Sequence, residues 1–136
     1  MTAGSRPEKE RDRERGQALV ELALVLTILL ALLMGTIDMG RALHTYLVLE
    51  HASREGARAG ALGQGDLQID STVRNALSPV VDRTKVVVAV TPPESARARG
   101  TPVSVRVTYP MQYLFPYLQS LLGPLDLAGE TIMRVE

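Results

Sequence analysis

A chain of 136 residues, 46% of them hydrophobic, is sized for one compact unit rather than two domains. Its 15 basic and 15 acidic residues cancel, which excludes the basic excess expected of a nucleic-acid partner. Cysteine is absent, so there is no disulfide framework and no thiol chemistry, and any extracytoplasmic domain must be held by packing.

Residues 1–16 are polar and dense in charge, with five Lys or Arg set against Glu8, Glu10, Asp12 and Glu14. They carry no apolar periodicity and read as a disordered leader. Residues 17–37 are a membrane span. The uncharged run Leu22–Ile37 would reach only about 24 Å as a helix, against a hydrocarbon core of about 30 Å. Including Gln17–Glu21 extends it to about 32 Å, which draws Glu21 to the membrane edge. Lys9 and the arginines at 6, 11, 13 and 15 precede the run, while Arg41 stands alone just after it. The positive-inside rule then places the N-terminus in the cytoplasm and residues 38–136 outside. A cleaved secretory signal is the competing reading. The run is longer than a signal core, and Gly35–Gly40 offers no small-x-small cleavage site.

Asp38–Leu62 continues as helix without a proline. Leu43, Tyr46, Leu47 and Ala57 read as its apolar stripe, and Glu50, Arg54 and Arg58 as an i, i+4, i+8 charged face. One helix from about Ala18 to Leu62 is expected. Gly63–Asp66 ends it, with a Gly cap and with Asp66 capping the next element. Leu67–Leu77 reads as a short amphipathic helix stopped by Pro79. The β-branched run Lys85–Val90 reads as a buried strand and Thr91–Pro102 as a solvated, protease-accessible loop carrying Arg97 and Arg99. Val103–Tyr109 alternates and should be a half-buried strand pairing antiparallel with the first. Met111–Leu122, broken by Pro116, reads as short helical turns. Leu125–Glu136 reads as a final strand, bulged at Gly129. The expected class is α+β: a long N-terminal transmembrane helix leading into a small domain with a second helix and a three-stranded antiparallel sheet.

Chemistry-bearing motifs are few. His44 and His51 share a helix face with only Glu55 nearby, which is poor for a metal, and none is expected. Gly60–Gly65 lacks the preceding strand and the following Lys-Ser/Thr of a phosphate loop. Neither G-x-S-x-G nor H-E-x-x-H occurs, so no enzyme activity and no cofactor is expected.

Glu21 is the informative residue. An acid inside a span is costly and ordinarily finds a partner, although snorkelling or protonation are alternatives. The residues after it, Leu22–Leu26, supply no cation, and Arg15 is at a poor helical phase. A partner on another chain fits better. If the tail were removed after Gly16, Gln17 would become a free N-terminus and Glu21 the fifth residue, and a neighbour's carboxylate could then pair with a buried α-amine. Asp38 and Arg41 flank the far membrane edge, either as a solvated collar or as an inter-subunit pair. Arg54, Glu55 and Arg58 read equally as ties within the domain or as contacts with partners. Gly56 and Gly60, spaced with Ala52, favour close packing against the chain's own sheet.

Gly16-Gln-Ala-Leu-Val-Glu21 before an apolar run matches the type IV prepilin processing pattern. RGQALVELALVL, then Gly35-Thr-Ile-Asp-Met-Gly-Arg41, then Ala52-Ser-Arg-Glu-Gly-Ala-Arg58, and the ends VSVRVTYP and ETIMRVE together resemble the TadE-like pseudopilins of tight-adherence (Flp) pilus systems. Gln17 departs from the aromatic residue that many major pilins carry there, which argues for a minor pilin or pseudopilin. The resemblance implies cleavage between Gly16 and Gln17 by a prepilin peptidase. It also implies partners among other pilins, pseudopilins and the pilus assembly platform, in a bacterial inner membrane. An uncleaved single-pass accessory or binding module is the alternative.

Overall fold

The computed structural model describes residues 8–114 and 116–136, and side chains from Arg13 onward except those of 115–118. The chain divides into two compact units, Met1–Ile37 and Asp38–Glu136. Helix α1, Glu8–Ala61, contributes to both.

In the first unit, α1 is already helical at Glu8, where the charge-dense leader was expected to be disordered. Residues 1–7 of that leader lie outside the described residues. The difference has a local cause: seven of the eight residues 8–15 are Glu, Lys or Arg, good helix formers in which acid alternates with base, and no proline lies among them. From Leu19 to Leu33 every Leu, Val and Ile is exposed on all sides of the helix. A helix apolar all round needs an apolar solvent or a protein coat. The two hydroxyls in this stretch are satisfied within the helix, Thr27 donating to the Ala23 carbonyl at 2.8 Å and Thr36 to that of Leu32 at 2.9 Å. This satisfaction suits a segment with no water around it. By length and composition α1 can cross a membrane.

The second unit packs the C-terminal part of α1 and helix α2, Asp66–Ala76, on one face of a three-stranded antiparallel sheet. The strands are β1, Val87–Thr91, β2, Pro102–Met111, and β3, Leu125–Arg134, in the order β1-β2-β3. Val88 lies opposite Val107 and Val90 opposite Val105; Thr131 lies opposite Val105 on the other side. The predicted alternation holds in β2: Val103, Val105 and Val107 are fully buried, with Ile69 and Val73 of α2 and Leu77 just after it in the same core.

Several local expectations change. The run read as a buried strand from Lys85 begins only at Val87 and is an edge strand, with Val87 exposed and Val88 half-buried. Arg83–Lys85 instead form a 3₁₀ turn capped by Asp82, which accepts from the Thr84 N–H at 3.0 Å and its hydroxyl at 2.7 Å. Those bonds, the hydroxyl first, hold the Asp82 carboxyl below its usual range. Pro116 does not break a helix but opens one, α3, Pro116–Leu122, where a proline has no N–H to lose. Gly129 makes no bulge; it pairs in register with Val107.

The apolar stripe assigned to α1 is also corrected. Ala57 is buried, but Leu43, Tyr46 and Leu47 are exposed. The buried stripe runs instead through Asp38, Thr45, Leu49, Ala52, Ser53, Gly56, Ala57, Ala59 and Gly60. The tight fit of the helix against its neighbours is the reason. A Cβ on Gly56 would lie 2.5 Å from Val73 Cγ2, and one on Gly60 3.1 Å from Val103 Cγ1. A helix set this close to the sheet turns its small residues inward and its large ones outward. Buried Ser53 completes the contact, its Oγ 2.8 Å from Thr131 Oγ1.

The C-terminal end of α1 is closed as predicted by Gly63, at φ 76°. Gly63 N–H donates to the Gly60 carbonyl at 3.0 Å and Gln64 N–H to that of Ala59 at 3.2 Å, the paired bonds of a Schellman motif. Asp66, however, does not cap α2. Gly65 occupies that position without a side-chain bond, and Glu94 from the β1–β2 connection accepts the Asp66 N–H at 3.3 Å.

Candidate functional site

The residues singled out in the sequence all lie on α1, and they divide between the two units. In the first, Gly16 and Gln17 are exposed within the helix, not in a loop. Glu21 follows, also exposed, one turn after Gln17 on the same strip of surface. Among the described residues nothing hydrogen-bonds to Glu21 or pairs with it. Glu21 is therefore an unneutralised acid at the mouth of an uncharged apolar cylinder, the geometry in which a cation from outside the chain gains most.

In the second unit, Asp38 and Arg41 come together, but not as a solvated collar. Asp38 is only 5% exposed. Its Oδ1 accepts Arg41 Nη1 at 3.1 Å, and its two oxygens accept the Leu114 N–H at 3.0 and 3.2 Å. The carboxylate ties the β2–α3 connection to the helix, and a buried charge with a cation and an N–H on it is satisfied. Arg41 is about half exposed and retains surface for a further partner. No spacing in the sequence points to Leu114, because the bond is made by its backbone.

Farther along α1, Arg54 and Arg58 are exposed, and Arg54 reaches Glu50 only at 4.0 Å, a weak pair. Glu55 and Arg58 instead line a shallow groove with Ala59, Leu62, Gln64 and Thr72. Between these charges, Met39, Leu43, Tyr46 and Leu47 form an exposed apolar strip on the face of α1 away from the sheet. Leu43, Tyr46 and Leu47 are three of the four residues expected from the sequence to form the apolar stripe of this helix.

One functional-looking cation was misplaced altogether. Arg97, expected to be solvated in its loop, is 5% exposed at its side chain. It donates to the Pro92 carbonyl at 3.0 Å, to the Gln64 carbonyl at 3.3 Å and to Asp66. It is a structural clamp between the β1–β2 connection and the turn from α1 to α2. Two of its three partners are backbone oxygens, which leave no mark in a sequence.

No curated protein matches the chain, and no solved structure does. A family model described as TadE-like protein matches residues 16–58. The match begins at Gly16 and takes in Glu21, the apolar run, Asp38, Arg41, Arg54, Glu55 and Arg58. Over that segment, the front part of the described chain, the protein is similar to the TadE-like family.

Proposed function

We propose that the chain is a minor pilin or pseudopilin of a tight-adherence (Flp) pilus system, with a structural and not a catalytic role. It is held as a single-pass membrane protein with its N-terminus in the cytoplasm, trimmed after Gly16 by a prepilin peptidase, and assembled laterally through α1. The observation that carries this reading is Glu21. It is the one charge between Arg15 and Asp38, it has no partner among the described residues, and it stands fifth after Gly16 inside the segment that matches the TadE-like family. An α-amine at Gln17 of a neighbouring subunit supplies the missing cation, in a medium of low dielectric where the pair is worth most. The exposed strip Met39, Leu43, Tyr46 and Leu47 extends the assembly surface past the span.

Two measurements test it. Sequencing the N-terminus of the chain made with and without an active prepilin peptidase should give Gln17 as the first residue only when the enzyme is present. An intact Met1 under active peptidase defeats the processing. Glu21→Ala is expected to insert normally, since it removes a charge from the span, and to lower incorporation into the pilus at least tenfold, equivalent to about 1.4 kcal/mol of lost pairing. Unchanged incorporation would remove Glu21 from the assembly role. The uncleaved accessory protein remains the second reading, and one observation favours it: the Gly16–Gln17 peptide lies within a continuous helix, which a peptidase must unwind before cutting.

A further inference from the structure

The sheet ends in two edges that are built differently. β3 carries Asp126, Glu130 and Arg134, all exposed. Charges of this kind keep a sheet edge from pairing with other chains. β1 has none. From Val86 to Thr91 the sequence is Val-Val-Val-Ala-Val-Thr, five of six residues β-branched, with no charge and no proline. Its register with β2 runs unbroken from Val87 to Thr91, so no bulge twists the edge away. Apart from the ladder to β2, no backbone group of Val87–Thr91 is hydrogen-bonded among the described residues. Val87 is 63% exposed, Ala89 and Thr91 are exposed with it, and Val88 and Val90 lie half-buried at the rim of the core. An uncharged, strongly β-forming edge with its outer N–H and C=O groups open is a template for another strand.

The pattern of β1 also selects the occupant. Val88-Ala89-Val90 reads the same in both directions, and Val87 and Thr91 on either side are both β-branched. A second copy laid antiparallel about Ala89 therefore sets Val88 against Val90 of the partner subunit, Val87 against Thr91 of the partner subunit, and Ala89 against its own counterpart. Residues directly opposite in such a pair share a sheet face. The half-buried valines thus meet on the core side, and Val87, Ala89 and Thr91 meet on the other. A two-fold axis brings each residue near its own twin, so a charge at the centre would face its like; β1 carries no charge at all. Arg106, opposite Ala89 in β2, reaches Glu130 of β3 at 4.0 Å, on the side away from the edge.

We infer that β1 is a pairing edge for a second copy of this chain. Two copies join antiparallel through Val87–Thr91, and their three-stranded sheets become one six-stranded sheet. The backbone groups supply the attraction, and the symmetric side-chain pattern fixes the register. The pairing covers the rim at which Val88 and Val90 leave the core open. It uses a surface separate from α1, and depends neither on processing after Gly16 nor on Glu21.

The chain has no cysteine, so single substitutions report the pairing directly. Opposite residues in an antiparallel pair have Cα atoms about 4.5–5.5 Å apart, inside the range of about 4.4–6.8 Å that a disulfide spans. Full-length Ala89→Cys, purified in detergent and oxidised with copper phenanthroline, should form a disulfide-linked dimer about tenfold faster than two controls. These are Leu67→Cys, whose site on α2 is 89% exposed, and Ile132→Cys, 64% exposed on β3. Val87→Cys should be as slow as the controls, because its twin lies four residues along the pair, about 13 Å away. An equal mixture of Val87→Cys and Thr91→Cys should link several-fold faster than either variant alone. Ala89→Cys no faster than Leu67→Cys overturns the pairing of copies and leaves the edge to a strand of another protein. Val87→Cys linking as fast as Ala89→Cys also overturns it, since random collision or a slipped register would give that result. A mixture that links no faster than its components overturns the register. Circular dichroism matching the unsubstituted chain confirms that each variant is folded.

Discussion

Gly129→Ala is expected to lower the stability of the domain by about 3 kcal/mol, at the upper end of the usual cost of overpacking. A Cβ at this position would stand 2.6 Å from the Leu49 carbonyl carbon, 2.7 Å from the Glu50 nitrogen and 2.7 Å from the Leu49 oxygen. All three atoms are helix backbone, so no side chain can swing aside. Either α1 moves off β3 or the strand bends away. Both responses open the contact that Ser53 and Thr131 close, and both disturb the fully buried Leu49 beside it. For a domain of this size the loss corresponds to a fall in Tm of roughly 12–24 °C. Gly63→Ala is the comparison: nothing lies within 4 Å of its added Cβ, but its φ is 76°. Its cost is conformational, about 1–2 kcal/mol. Thermal unfolding of the two variants in detergent separates the causes. Equal Tm values would show that the helix yields to a methyl group at Gly129 and that the close approach is not a constraint.

Arg97→Ala is expected to cost about 2–3 kcal/mol, the scale of hydrogen bonds lost by a charged group and two carbonyls left behind. The figure is kept below that of a fully buried pair because Asp66 is half exposed and water can rescue it. The loss should be local in its first effect. Without the clamp, the β1–β2 connection is no longer tied to the α1–α2 turn, and Glu94 loses its station at the Asp66 N–H. Trypsin should then cut after Arg99, which is exposed in this connection, at least tenfold faster than in the unsubstituted chain. That factor equals about 1.4 kcal/mol of local opening when cleavage follows a pre-equilibrium. Arg97→Lys should recover less than half of the stability, since an ammonium lacks the planar fork that spans two carbonyls and a carboxylate. An unchanged cleavage rate for Arg97→Ala would mean that the connection is held by its other contacts.

Some of this protein follows from its residues alone. The apolar run is legible because length and composition alone mark a helix able to cross a membrane, with no neighbour in the chain needed to satisfy it. The two-residue period of Val103, Val105 and Val107 is legible for a similar reason, since one buried face writes itself directly into a strand. Gly63 is legible because the φ of a helix cap is a local property. Glu21 stands out by chemistry, whatever the fold around it.

Other features belong to the tertiary structure. Which face of α1 is buried was misread from Leu43 and Leu47, because large apolar residues usually mark a core. Here the side chains of α2 and β2 press on Gly56 and Gly60, and the helix backbone itself meets Gly129, so closely that only small residues fit there, and the leucines turn outward. Asp38 and Arg97 looked like solvated charges because their partners, the Leu114 N–H and the carbonyls of Gln64 and Pro92, are backbone groups that any residue would present. Pro116 forbids a helix before it and favours one after it, so its residue type alone does not say which side is helical. What the sequence determines by itself is what local geometry and solvent preference impose. What the tertiary structure decides is how closely two backbones approach and where a charged side chain finds backbone partners distant in the chain.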